Sequence, residues 1–344
     1  MAPAALLAPT TTSTTAAPAV VGPTTKIATR PTKKIPRSII ENATLTQRRS
    51  FSPTEHLVYE PPAKIHTMAE LGLEGAGISP NAISEPFLCE QLLYQYDSRD
   101  GTCVGYSVLL AFMLRRAPFI YDVWKSPEVL SKVSEIAGID LVPVFDYEIA
   151  NINIAAKDDP IEPGSAIADG PVVSNSSDDD NVPAFAWHYD SFPFVCVTML
   201  SDCTGMVGGE TAINLPSGEI KKVRGPAMGY AVVMQGRYLH HQALKALGGR
   251  ERISMVTPFR PKDPLVRDES ILVGVRGISN LEELFPQYFE YRLDVLEERV
   301  RAQRKEERNR DAAHKPFDVE KKRRWLEEQR EFIDSMLREM YVPQ

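Results

Sequence analysis

Three residues in a row, His188-Tyr189-Asp190, carry the first chemistry in the chain. On an extended strand residues i and i+2 point to the same face, so this imidazole and this carboxylate can hold one metal ion from one strand. Alone the pattern is weak: with six histidines in the sequence an H-x-D arises by chance, and it reads equally well as a polar turn after a strand. A third ligand must come from His56, His66, His240, His241 or His314. The pair at 240–241 lies about 50 residues beyond Asp190, just after the apolar run Ala231-Val232-Val233-Met234. Two histidines and a carboxylate cover one face of a metal and leave three positions open, the donor set suited to non-haem Fe(II). Two of those positions can take a keto acid and the third dioxygen.

Arg252-Ile253-Ser254 follows the Gly248-Gly249 turn, and Arg252 and Ser254 share a face if this stretch is a strand. A planar, always-charged guanidinium grips a carboxylate bidentately, and a neighbouring hydroxyl adds a hydrogen bond. That is the equipment for anchoring the far carboxylate of 2-oxoglutarate. A structural ion pair at a barrel rim is the plainer reading of Arg252. Arg250 is the rival anchor, but it sits in the turn and has no serine two residues on.

These residues need strands to carry them. From 184 to 259 short β-branched and aromatic runs alternate with glycine, predicting strands at 185–190, 194–200, 211–215, 231–234 and 252–258. Short strands at this spacing suggest a sandwich or barrel. Upstream, Ser126-Pro127 followed by Val129, Leu130, Val133 and Ile136 predicts a capped helix closed by Gly138. The Val/Ile-rich stretch 141–154 reads as strand. An acidic loop with Asp178-Asp179-Asp180 precedes the core, either a lid or a mobile insert. Trp187, Tyr189 and Phe192 are candidates to line the site.

Beyond 280 the chain turns helical and charged. Leu281, Leu284, Tyr288, Phe289, Leu293, Leu296 and Val300 recur at helical spacing, as do Trp325, Phe332, Ile333, Met336, Leu337 and Met340, with Pro316 between the two segments. Charges of both signs alternate, with Glu297–Arg301 and Glu320–Arg324 four residues apart, so these helices are expected to be solvated on one side and packed on the core or on a second copy on the other. At the other end, residues 1–40 are rich in Thr, Ala and Pro and contain no acidic residue, which predicts disorder. Lys26, Arg30, Lys33, Lys34 and Arg37 resemble a mitochondrial targeting segment, but the prolines oppose the amphipathic helix one needs. The expected organisation is a tail at 1–40, a helical and strand region at 41–155 packing on the core, an acidic loop at 156–183, a catalytic core at 184–262 and charged helices at 263–344.

A net charge of −7 gives no general attraction to phosphate backbones or anionic lipid, so neither nucleic acid nor membrane is an expected partner. A small-molecule substrate is preferred, with a protein side chain as the other option. Cys89, Cys103, Cys196 and Cys203 form no C-x-x-C pair, which fits a reducing compartment, and no apolar run reaches the roughly 18–20 residues of a bilayer span. The expected location is cytoplasmic.

Taken together, H-x-D, a second histidine and Arg-x-Ser make residues 184–260 resemble the Fe(II)/2-oxoglutarate-dependent dioxygenase superfamily. Gly208-Gly209-Glu210-Thr211 looks like the turn of its prolyl-4-hydroxylase-like branch. Residues 68–87 and 117–154, Phe185-Ala186-Trp187-His188-Tyr189-Asp190-Ser191 and His241-Gln242-Ala243-Leu244 resemble uncharacterised fungal members. Residues 88–116 depart from that pattern, which runs more polar and helical there. The resemblance implies a mainly β core, a double-stranded β-helix or jelly roll with flanking α-helices, α+β overall. It implies iron at His188, Asp190 and His241, the histidine that directly precedes Gln-Ala-Leu, and cosubstrate at Arg252 with Ser254. His240 then faces the other side of its strand. Halogenating members lack the carboxylate that Asp190 supplies, so the implied reaction is hydroxylation, desaturation or a related oxidation, with 2-oxoglutarate decarboxylated to succinate. Two alternatives stand beside it: a catalytically inactive barrel serving as a scaffold through its C-terminal helices, and a metal-dependent isomerase or hydrolase, which would need no keto-acid anchor.

Overall fold

The computed structural model describes residues 18–19, 51–89, 118–155, 187–203, 205–225, 227–244, 246–247, 252–277 and 279–341. Within them lie α1 (Pro53–His56), β1 (Tyr59–Glu60), β2 (Ile65–Thr67), β3 (Asn81–Ser84), β4 (Phe87–Cys89), α2 (Pro118–Lys125), α3 (Pro127–Ala137), β5 (Leu141–Pro143) and β6 (Asn151–Ala155). There follow β7 (Phe194–Met199), β8 (Val207–Gly208), β9 (Thr211–Asn214), β10 (Ile220–Val223), β11 (Tyr230–Met234), β12 (His241–Ala243), β13 (Ala246–Leu247), β14 (Arg252–Pro261), α4 (Leu281–Ala312) and α5 (Val319–Glu339). The expectations for 156–183 and for Arg250 fall outside the described residues, as do most of 1–40 and of 88–116.

The structure is mainly antiparallel β with flanking helices, α+β overall. The large sheet runs β1-β4-β11-β7-β14-β5, with β6 also on β14 and β3 also on β11; a smaller sheet runs β10-β9-β12. Register assigns the faces of the large sheet. Val197 pairs with Val232 and with Val256, and Val195 with Met234, so these side chains share one face. That face packs on Ile213 and Val223 of the smaller sheet. Cys196, Val233, Ile253 and Met255 line the opposite face, under Phe119, Val123 and Trp124 of α2 and Val129, Val133 and Ile136 of α3. Cys89, Cys196 and Cys203 are buried free thiols.

α3 forms as its sequence dictates. The Ser126 hydroxyl accepts from the Val129 N–H, Pro127 opens the helix, and Gly138 closes it at φ 71°. Its last carbonyls are taken by side chains of the preceding segment: Ser79 Oγ donates to Ala137 O at 2.6 Å and Asn81 Nδ2 to Ile136 O at 2.9 Å. The strands expected at 194–200, 211–215, 231–234 and 252–258 are β7, β9, β11 and β14, to within a few residues at their ends.

Two expectations are corrected. The single strand over 141–154 is two strands, β5 and β6, separated by a 3-10 turn at Asp146–Glu148 and by Ala150 in the left-handed region at φ 62°. There the Ala150 N–H turns to the Thr257 hydroxyl at 3.0 Å and leaves the strand path. The segment at 187–190 is not a regular strand; it meets the smaller sheet only through an isolated bridge from His188 to His241.

The C-terminal helices form on either side of Pro316. Leu284, Tyr288, Tyr291 and Val295 of α4 join Phe332 and Met336 of α5 over Val144, Phe145 and Phe192. Phe289, Leu293, Val300, Ile333 and Leu337 of the expected apolar stripes remain exposed. Glu297 and Arg301 pair at 2.6 Å as their spacing predicts. Among the described residues no helix is long and apolar enough to cross a membrane.

Glu148 in the 3-10 turn is buried, and its carboxylate accepts from Asn151 Nδ2 at 2.8 Å. Burial pushes its pKa up from 4.5 to about 7, against a smaller lowering by that hydrogen bond. The folded protein thus holds the proton more tightly than the unfolded chain, and stability from this group falls as pH rises from about 4.5 to about 7. Glu148→Gln keeps an acceptor for Asn151 without that cost. Its stability relative to wild type should grow by roughly 3 kcal/mol across this window. Urea titrations at the two ends measure it, and parallel behaviour of the two proteins would contradict it.

Candidate metal centre

Two elements far apart in the chain bring His188, Asp190 and His241 together. The His188 N–H donates to the His241 carbonyl at 2.8 Å, and the His241 N–H returns to the His188 carbonyl at 3.0 Å. The next alternate residue is fixed too, since the Asp190 N–H donates to the Gly236 carbonyl at 2.9 Å. With both segments pinned, Asp190 Oδ1 lies 3.5 Å from His188 Nε2 and 3.6 Å from His241 Nε2, and the three ligand atoms fall within 4.8 Å of one another. Such a cluster can hold a metal ion.

The tautomer of His241 is set by its surroundings. Nδ1 lies 2.8 Å from the Leu239 carbonyl, which can only accept, so Nδ1 carries the proton and the Nε2 lone pair faces Asp190. Burial lowers the His241 pKa despite the adjacent Asp190 carboxylate, keeping the ring neutral as a ligand must be. For Asp190, burial alone would raise the pKa, but the imidazoles of His241 and His188 and the Arg237 guanidinium outweigh it and hold the carboxyl below its usual value. Exposure falls from 37% for the His188 side chain through 20% for Asp190 to 5% for His241, so the cluster opens to solvent on the His188 side.

His240 is turned away. Its ring lies between Trp187, 5.2 Å between centroids, and Tyr189, stacked at 5.0 Å, and its Nδ1 faces Asn214 Nδ2 at 3.4 Å. Trp187 and Tyr189 therefore pack on His240 rather than on the ligand cluster, and Phe192 sits in the helical core edge-on to Phe145. His56 stacks on Phe51 and meets Phe119 edge-on, and His66 bonds Glu85 at 2.6 Å; neither joins the cluster. His314 sits at φ 51° just past the end of α4.

Arg252 and Ser254 are 5% and 1% exposed and touch each other: Arg252 Nη1 donates to Ser254 Oγ at 3.0 Å, while Nε donates to the Gly209 carbonyl at 2.9 Å. Gly208 and Gly209 both adopt φ 76°, and a side chain on Gly209 would meet Met206 Sδ at 2.9 Å, so the turn that receives Arg252 needs glycine. The cluster is linked to this turn through β12, whose successor Leu244 donates its N–H to the Glu210 carbonyl. Glu210 pairs loosely with Arg224 at 3.7 Å and acts on Arg252 only at a distance. Among the described residues no carboxylate pairs with Arg252, and its Nη2 has no hydrogen-bond partner.

Two functional positions escaped the sequence reading. A Cβ on Gly236 would lie 1.8 Å from Asp190 Oδ2, so only glycine lets the carboxylate occupy its place. Gln235, fully buried, accepts from Ile78 N and donates to the Ser79 and Asn81 carbonyls, fixing the turn that leads to His241. No local pattern in the sequence marks either one.

No family model matches the chain, and no curated protein does. Among solved structures it is similar to an oxidoreductase of the 2OG-Fe(II) oxygenase family from Burkholderia pseudomallei, at 15% identity, 42% of this chain, 55% of that one and a TM-score of 0.29. It is also similar to prolyl 4-hydroxylases from Phytophthora capsici, at 16% identity, 44% and 45% coverage and a TM-score of 0.29. A dioxygenase for auxin oxidation from rice matches at 18% identity, 54% and 57% coverage and a TM-score of 0.24. The chain spans about half the length of these structures.

Metal titrations test the geometry. His188→Ala and His241→Ala should strongly weaken binding of one metal ion per chain, and His240→Ala should weaken it little. Gly236→Ala should displace the Asp190 carboxylate and lower metal affinity by about tenfold or more with the fold retained. Wild-type affinity in Gly236→Ala would show that Asp190 does not hold the metal.

Proposed function

We propose that the protein is an Fe(II)- and 2-oxoglutarate-dependent dioxygenase, with iron held by His188, Asp190 and His241 and the far carboxylate of 2-oxoglutarate held by Arg252 with Ser254. The observation that carries this reading is the buried Arg252 guanidinium, which no carboxylate among the described residues pairs with. An unmatched charge at such depth costs several kcal/mol, which a bound anion would offset. Neither a hydrolase nor an isomerase at the same metal needs that anion.

The strand order supports a double-stranded β-helix. β6-β14-β7-β11 form a contiguous run of the large sheet, facing the smaller sheet, which the His188 bridge extends to the order 188-β12-β9-β10. The ligands then lie on the smaller sheet and the anchor on β14 of the larger one.

When bound, iron with 2-oxoglutarate supplies the oxidation of a substrate C–H, with dioxygen consumed and succinate released. The chain's own residues position and shield. The Leu239 carbonyl holds His241 in the tautomer that presents Nε2, and Gly236 leaves room for the Asp190 carboxylate. Arg252, already oriented by Gly209 and Ser254, offers its free Nη2 hydrogens to the incoming carboxylate at little ordering cost. The substrate in this proposal is a small molecule. The apolar side chains left exposed on α4 and α5, such as Leu293 and Leu337, are where a second copy would pack.

Arg252→Gln should raise the 2-oxoglutarate dissociation constant by roughly two orders of magnitude, with iron binding nearly unchanged. Arg250→Gln should have little effect. The readout is the visible band that Fe(II) gains when a keto acid chelates it, titrated anaerobically on each variant. No band in the wild-type protein at millimolar 2-oxoglutarate would refute the proposal.

A further inference from the structure

Residues 268–276, between β14 and α4, form no strand or helix, yet they contact both metal-ligand segments and both C-terminal helices. On the ligand side the Ile271 N–H donates to the Ser191 carbonyl at 2.9 Å, and the Gly274 N–H to Ser191 Oγ at 3.0 Å. Ser191 directly follows Asp190. A side chain on Gly274 would meet Ser191 Oγ at 2.8 Å, so the approach is as close as glycine allows. Glu269 reaches the turn before His241: its carbonyl accepts from Arg237 Nε at 3.3 Å and its carboxylate from the Tyr238 hydroxyl at 2.7 Å.

On the far side the same segment is gripped by the helices. Glu339 accepts the Leu272 N–H at 2.7 Å and Arg276 Nη1 at 3.0 Å. Arg292 of α4 donates to the Asp268 carbonyl at 3.2 Å and faces its carboxylate at 3.7 Å. Leu272, fully buried, sits in the helical core with Leu284 and Met336. Glu339 is the last residue of α5, where the helix dipole disfavours a carboxylate. Its position makes sense through what it holds outside its own helix.

We infer that residues 268–276 are a strap that positions the metal ligands, and that Glu339, about a hundred residues beyond His241, is a positioning residue acting on the centre through that strap. The inference rests on the metal reading of His188, Asp190 and His241. Glu339 fixes Leu272 and Arg276, these fix Ile271 and Gly274 on Ser191, and Ser191 sets the path of the segment carrying Asp190. Groups that orient metal ligands at second hand typically change metal affinity by 10–100-fold when removed.

The test uses the full chain with Co(II) as probe, reading its affinity and its visible d–d spectrum at a temperature where circular dichroism shows every variant folded. Glu339→Ala should weaken Co(II) binding about tenfold and shift or broaden the spectrum. Glu339→Gln retains an acceptor for the Leu272 N–H and should recover most of both, and Glu327→Ala, exposed on the same helix, should match wild type. If Glu339→Ala does not fold, Arg276→Gln, which leaves the Leu272 bond in place, should show the same change in smaller degree. A Glu339→Ala protein that melts earlier but binds Co(II) with wild-type affinity and spectrum would reduce the strap to a structural tie and overturn the inference. If wild-type protein binds no Co(II), the metal reading falls and the strap falls with it.

Discussion

The pair of backbone hydrogen bonds between His188 and His241 is the constraint on which the candidate site depends. The two residues are separated by more than 50 positions of chain, and β7, β9 and β11 must all be in register before those positions can meet. Closing a loop of that length has a substantial entropic cost that only the packed sheets can offset. Once it is closed, the alternation of an extended chain places Asp190 on the same side as His188. The Gly236 carbonyl and the absent Gly236 side chain then decide where its carboxylate rests.

Two buried arginines differ in whether the described residues match their charge. Arg292, 1% exposed, faces Asp268, lies 3.5 Å from the centroid of the Phe332 ring and donates to the Ser335 hydroxyl at 2.5 Å. Its charge is matched within the chain, so it ties α4 to α5 and to the segment after β14. Arg252 is almost as deeply buried, but among the described residues it meets only a carbonyl and a hydroxyl, both neutral. In a medium of low polarity that difference amounts to several kcal/mol.

The C-terminal helices do more than cover a core. Their charged surfaces fit the solvated faces expected from composition, and the exposed Glu297–Arg301 pair, screened by water, adds little to stability. Their buried faces carry Arg292 and Glu339, both directed at residues 268–276. The last helix is thereby coupled to the segment that carries Asp190, through hydrogen bonds that no amphipathic pattern records.

What the sequence by itself determined was local. Ser126, Pro127 and Gly138 marked the ends of α3 because caps act within one turn. Pro316 divided the last two helices, and runs of β-branched residues marked β7, β9, β11 and β14 because those strands are long enough to show their composition. The i, i+2 spacing put His188 with Asp190 and Arg252 with Ser254, since alternation follows from the backbone alone. The two- and three-residue strands β1, β2, β4, β5, β8 and β13 left no readable period, and the break at Ala150 depends on the Thr257 hydroxyl more than a hundred residues away. Only the tertiary structure shows that the His241 ring joins His188 and Asp190 while the His240 ring lies between Trp187 and Tyr189, because that depends on contacts far apart in the chain. It alone showed that, among the described residues, Arg252 has no partner carboxylate while Arg292 has one. An ion pair is made by groups that folding brings together, and spacing along the chain carries no information about which charge will find one.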